Sequence, residues 1–165
     1  MEKFLKELPE LAEEKLIENK KYFQKLKKRT PKKLDLIMKE LHDKEFKKTD
    51  CLTCGNCCKT TSPIFTDKDI ERIAKHLKMK VVKFIAQFLE RDADDFYILK
   101  SAPCTFFDSN DNTCFIYDVR PKACKEYPHT NRKKFIQITD LTITNASICP
   151  ATFNIIEALK EKLPL

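Results

Sequence analysis

Eight cysteines carry most of the chemistry this chain can offer, and four of them fall in one stretch, CLTCGNCC, at positions 51–58. The full spacing is C-x2-C-x2-C-C, 45 residues, C-x9-C-x9-C, 24 residues and a Cys-Pro pair. The thiols are Cys51, Cys54, Cys57, Cys58, Cys104, Cys114, Cys124 and Cys149. A C-x-x-C turn lets two thiolates converge on one ion, about 2.3 Å from each sulfur for zinc. Three cysteines spaced by two residues can wrap one concavity, as iron–sulfur loops do. Cys58 follows Cys57 directly, so it points elsewhere and can serve a second centre or another iron of a larger one. The chain's single glycine, Gly55, lies among these thiols. A tight thiolate loop needs a positive φ at some turn, which glycine adopts without a Cβ clash while baring an N–H toward a sulfur. Asn56 is the next most tolerant residue type there.

Closed zinc sites take four ligands, so eight thiols supply two such sites, two clusters, or one of each. The C-x2-C-x2-C run with a remote Cys-Pro argues for iron–sulfur. The divisibility by four and the small format argue for zinc, and all-thiolate coordination suits both metals. A disulfide framework is disfavoured: the chain is large and apolar enough to fold without staples, and vicinal Cys57 and Cys58 cannot easily bridge each other. Four thiolates on a divalent centre leave about −2 of charge, so nearby cations are favourable. Lys59, Arg120, Lys122 and Lys125 are the candidates by sequence. His129 lies close to Cys124, but there are thiols enough without it. His42 and His76 read as ordinary helix residues.

The elements that must position these thiols read as mostly helical. Residues 2–28 carry apolar residues at helical spacing. Thr30-Pro31 breaks the run, with Thr30 as cap and Pro31 opening a helix to about Phe46 that buries Leu34, Ile37 and Leu41. Residues 1–49 therefore read as a helical hairpin or arm, able to pack on the rest, to form a homodimer or to meet a protein partner. Residues 50–165 read as the cysteine-cluster domain. Within it 50–63 is a loop, and Thr66-Asp67-Lys68-Asp69 begins a helix with Ile70, Ile73, Ala74 and Leu77 inward. Residues 81–90 form another helix, with Val82, Phe84, Ile85, Phe88 and Leu89 as its apolar set. Residues 96–100 make a strand, and 102–117 two short strands about a turn at 109–112. Residues 119–130 are a Pro-punctuated loop or single helical turn. The alternating, β-branched 133–145 reads as a further strand, and Pro150 opens the last helix. The expected fold is mainly α with a few short strands: an irregular metal-stabilised domain with an N-terminal helical arm.

Composition narrows the function. The 165 residues are 42% hydrophobic and 35% charged, with net charge +7. No apolar run approaches the roughly 20 residues of a membrane span, and the N-terminus lacks the pattern of a secretory signal. A cytoplasmic protein with reduced thiols and no membrane partner is expected. One glycine excludes Rossmann and P-loop nucleotide sites, and no nucleophile elbow or HExxH motif is present. No catalytic residue can be named. Residues 20–33 hold eight basic side chains and no acidic one; this is a solvated helix face or a surface for phosphates.

CLTCGNCC, Cys104, then Cys114, Ile116, Tyr117, Arg120, Pro121, Cys124, Tyr127 and Pro128, with Cys149-Pro150, resemble the YkgJ family over residues 50–150. This is the CxxCxxCC zinc- or iron-chelating cysteine-cluster domain. The resemblance implies metal chelation by all eight cysteines, with iron–sulfur or zinc as cofactor and Gly55, Arg120 and Tyr117 beside it. Most members have no assigned reaction. The domain also occurs in a flagellin lysine N-methylase, but nothing here matches a separate methyltransferase module. Three roles follow: a metal-cluster protein, a zinc-stabilised nucleic-acid or protein-binding module, or a metal-dependent protein-modifying enzyme.

Overall fold

A computed structural model describes residues 2–165 and is mainly α-helical. In chain order the elements are α1 (Glu2–Glu14), α2 (Leu16–Lys28), α3 (Leu34–Phe46), α4 (Cys51–Cys54), α5 (Asn56–Thr60), α6 (Asp67–His76), α7 (Val81–Phe88), β1 (Leu89–Arg91), β2 (Tyr97–Leu99), β3 (Phe107–Asp108), β4 (Thr113–Cys114), α8 (Lys122–Glu126), α9 (Thr139–Ala146) and α10 (Pro150–Lys162). Short 3-10 turns span Tyr117–Val119 and Phe135–Ile138. These elements form two compact units, one of residues 1–54 and 128–165, the other of residues 55–127.

The first unit is helical, and its N-terminal helices share one core with the C-terminal ones. Tyr22, Phe23, Leu26, Leu34, Met38, Leu41, Phe135, Ile138, Ala146, Ile155, Ile156 and Leu159 form that core. The Asp35 carboxylate accepts the N–H groups of Lys134 (2.7 Å) and Phe135 (3.0 Å). That bond pair seats the buried Phe135 against Phe23, with ring centroids 6.2 Å apart. His42 Nδ1 lies 2.8 Å from the buried Thr130 hydroxyl and the imidazole rests against Phe46. This histidine is a packing residue.

The second unit packs α6 and α7 on two antiparallel hairpins. Its core is Phe65, Ile70, Ile73, Ala74, Phe84, Leu89, Leu99, Phe106 and Ile116, with Phe84 and Phe106 stacked at 6.1 Å. β1 pairs with β2 through Leu89↔Leu99, and β3 pairs with β4 through Phe107↔Cys114. Thr66 caps α6 in a reciprocal box with Asp69, and Ile70, Ile73 and Ala74 face inward as their spacing requires.

The structure corrects several local expectations. The helix read over 2–28 is interrupted at Lys15. Thr30 does not cap α3; its hydroxyl donates to the Leu26 carbonyl (3.1 Å) and so serves the end of α2. The cysteine loop contains two short helices, α4 and α5. Helix α7 ends at Phe88, because Leu89 turns extended and pairs with Leu99, and Val82 is 78% exposed rather than inward. Residues 135–146 are a 3-10 turn and a helix, not a strand. There Phe135, Ile138, Thr139, Thr142, Asn145 and Ala146 are buried, which is a three- and four-residue period. The β-branched alternation coexists with that period, and packing selects the helix.

Candidate metal centre

Gly55 separates α4 from α5. Its φ of +58° places it in the left-handed region, where it forms the N-cap of α5. A Cβ added there would lie 2.7 Å from Phe107 Cζ and 2.9 Å from Asn112 Oδ1. The glycine thus answers two needs at once, a left-handed turn and the close approach of the β3–β4 hairpin. Lys59 also lies over the Phe107 ring, 5.7 Å from its centroid. Phe107 and Asn112 are neighbours of Gly55 that sequence reasoning did not pick out.

In the second unit, Cys58 rides on α5 and its carbonyl accepts the Cys104 N–H (2.8 Å). Cys114 closes β4 opposite Phe107, and Cys124 sits in the middle of α8. These four thiols are electrostatic neighbours. Burial, then the charges of Cys58, Cys104 and Cys114, push the Cys124 thiol up to about 12. Burial and the charges of Cys58 and Cys114 push Cys104 up to about 11. Cys114 is raised by burial and by Cys58. Cys58 goes the other way, to about 7, because the Cys57 thiol hydrogen-bonds it and Lys59 stabilises its charge against the effect of burial.

Arg120 opposes the build-up of thiol charge, acting on both Cys114 and Cys124. Its guanidinium lies 3.9 Å from the Tyr117 ring centroid and its Nη1 donates to the Tyr117 carbonyl (2.6 Å). Among the described residues it forms no salt bridge with Asp118 or Asp108.

The first unit holds Cys51, Cys54 and Cys149. Cys149 is the N-cap residue of α10, followed by Pro150. Burial raises its thiol; the Thr152 hydroxyl and the N–H groups of Thr152 and Ala151 pull it down, and Cys54 adds a smaller upward push. The cysteines are thiols, not disulfides.

Among the described residues, no three His, Cys, Asp or Glu side chains close into a group that could hold an ion. Cys58, Cys104, Cys114 and Cys124 are therefore neighbours rather than a finished coordination shell. Their chemistry nonetheless fits a cation. Partly buried thiols whose pKa is raised by desolvation and by a neighbouring thiolate disfavour the charged form, and a divalent cation among them reverses the sign of that interaction.

Asp69 and Arg72 also escaped the sequence reading, beyond Asp69's place in the first turn of α6. Asp69 is 1% exposed. Burial pushes its carboxyl up, but hydrogen bonds from Thr66, Arg72 and the Lys122 N–H outweigh that and hold it below the usual range. The visible signal was an Asp and an Arg three residues apart beside an apolar stripe, which is common on solvated helices.

No helix among the described residues is long and apolar enough to cross a membrane. No solved structure matches the chain. Residues 50–150 match the family model described as "CxxCxxCC: Putative zinc- or iron-chelating domain". That span covers more than half of the 165 residues and contains every cysteine, so the chain belongs to the CxxCxxCC zinc- or iron-chelating domain family.

Proposed function

We propose that this YkgJ-type chain binds zinc, or iron as an iron–sulfur cluster, through its cysteines, with Cys58, Cys104, Cys114 and Cys124 as one four-thiolate set. The observations that carry this reading are the Cys104 N–H donated to the Cys58 carbonyl (2.8 Å) and the reach of the Cys58 charge to Cys104, Cys114 and Cys124 within one unit. Four is the ligand number of a closed zinc site and of the common clusters. Cys51, Cys54, Cys57 and Cys149 complete the eight-cysteine donor inventory. Arg120, braced on Tyr117, offsets the negative charge of the thiolates, and Gly55 gives the hairpin room to reach α5. A bound zinc would cross-link these segments; a cluster would add one-electron transfer.

Anaerobic purification followed by elemental analysis and absorption spectroscopy tests the reading. The expected result is at least one zinc, or iron with matching sulfide and thiolate-to-iron absorption, per chain. Chain without stoichiometric zinc or iron, its thiols all titratable, would sink it.

A further inference from the structure

The proposal that follows rests on the metal reading above. Helix α8 has only five residues, too few to hold itself in place. It carries Cys124, and its position comes from α6. Asp69 Oδ1 accepts the Lys122 N–H (3.1 Å), the first N–H of α8. The same carboxylate accepts the Thr66 N–H (3.0 Å), the Thr66 hydroxyl (2.7 Å) and Arg72 Nη2 (2.5 Å). Arg72 in turn donates from Nε to the Val119 carbonyl (3.2 Å) and from Nη2 to the Arg120 carbonyl (2.9 Å). One part-buried ion pair thus grips three points of the chain leading into Cys124: residues 119, 120 and 122. We propose that Asp69 and Arg72 are positioning residues that set where the Cys124 thiol stands relative to Cys58, Cys104 and Cys114.

The geometry supplies a clean variant. Lys122 is the first residue of α8, a position that tolerates proline because its N–H has no intrahelical partner. Pro121 before it has ψ 150°, which a following proline accepts. Lys122→Pro therefore deletes the one N–H that joins α8 to Asp69 and leaves the α6 cap intact. The Lys122–Glu126 pair it also removes is exposed and contributes little.

The test uses the full chain, loaded with zinc, in wild-type, Lys122→Pro, Asp69→Ala, Cys124→Ala and the two double variants with Cys124→Ala. Zinc release to an excess of a chromogenic chelator is timed, and iodoacetamide labelling of each cysteine in the zinc-treated chain, before chelator is added, is followed by peptide mass spectrometry. Lys122→Pro and Asp69→Ala should each speed release about tenfold. They should raise labelling of Cys124 while Cys104 and Cys114 change little, and they should have no further effect on release once Cys124 is alanine. Equal loosening of all three thiols, additive effects in the Cys124→Ala background, or unchanged release in Lys122→Pro would overturn the proposal. If the wild type takes up no zinc, the metal reading fails, and the labelling of Cys124 still decides the positioning role.

Discussion

Stripping the metal from this protein will cost residues 50–63 and 102–130 their protection against proteases, while α1, α2, α3, α9 and α10 stay protected. The reason is how little else holds those segments. Between residues 102 and 130 the regular structure amounts to two-residue strands, one 3-10 turn and the five-residue α8. Hairpins and helices this short do not persist in water alone. The core beneath them is small: Phe106 and Ile116 are the buried side chains that 102–130 commits to it, with Cys104, Cys114 and Val119 packed partly buried against it. Metal binding by thiolates contributes roughly 10 kcal/mol or more to folding in small zinc domains, comparable to the whole stability of a domain. Limited proteolysis with and without chelator, read by mass spectrometry, checks this. Cleavage should appear at 50–63 and 102–130 only after demetallation. Protection of both segments surviving complete metal removal would refute it.

Replacing Gly55 with Val should reduce metal content more than the same change at exposed Lys83 on α7. At φ +58° any L side chain is strained by about 1–2 kcal/mol, and a β-branched one more. The new Cβ would also meet Phe107 Cζ at 2.7 Å, and overpacking of this kind costs about 1–3 kcal/mol. Phe107 cannot give way freely, because it is paired with Cys114 across the hairpin. Pushing Phe107 therefore displaces a ligand candidate. Gly55→Ala should fall between wild type and Gly55→Val in metal per chain. Equal metal content in Gly55→Val and Lys83→Val would contradict this explanation of the chain's single glycine.

Much of the fold was legible from residue order. The start of α6 followed from Thr66 and Asp69, its core face from Ile70, Ile73 and Ala74, and the start of α10 from Cys149-Pro150. Residues 133–145 misled because Thr and Ile at alternate positions also satisfy a helical period, and only packing against Phe23 and its neighbours decides between them. Val82 misled because α7 turns a different face inward, with Phe84 as its fully buried residue.

At the site, the cysteines announced themselves, but their grouping did not. Cys57 and Cys58 are adjacent in sequence, yet the partners that feel the charge of Cys58 come from 46 to 66 residues downstream, at Cys104, Cys114 and Cys124. Spacing within CLTCGNCC cannot reveal that, because it depends on where α5, the hairpin and α8 lie in three dimensions. The double role of Asp69 was hidden for the same reason. A capping-box acid is read locally, while its bond to Lys122 spans 53 positions.

The central claim is that Cys58, Cys104, Cys114 and Cys124 hold one metal together. Cysteine-resolved alkylation of the anaerobically purified chain, before and after chelation, tests it most directly. The account predicts that these four thiols are shielded in the metal-bound chain and become reactive together, in step with metal release. Alkylation of any of the four at its metal-free rate while the metal stays bound would contradict it.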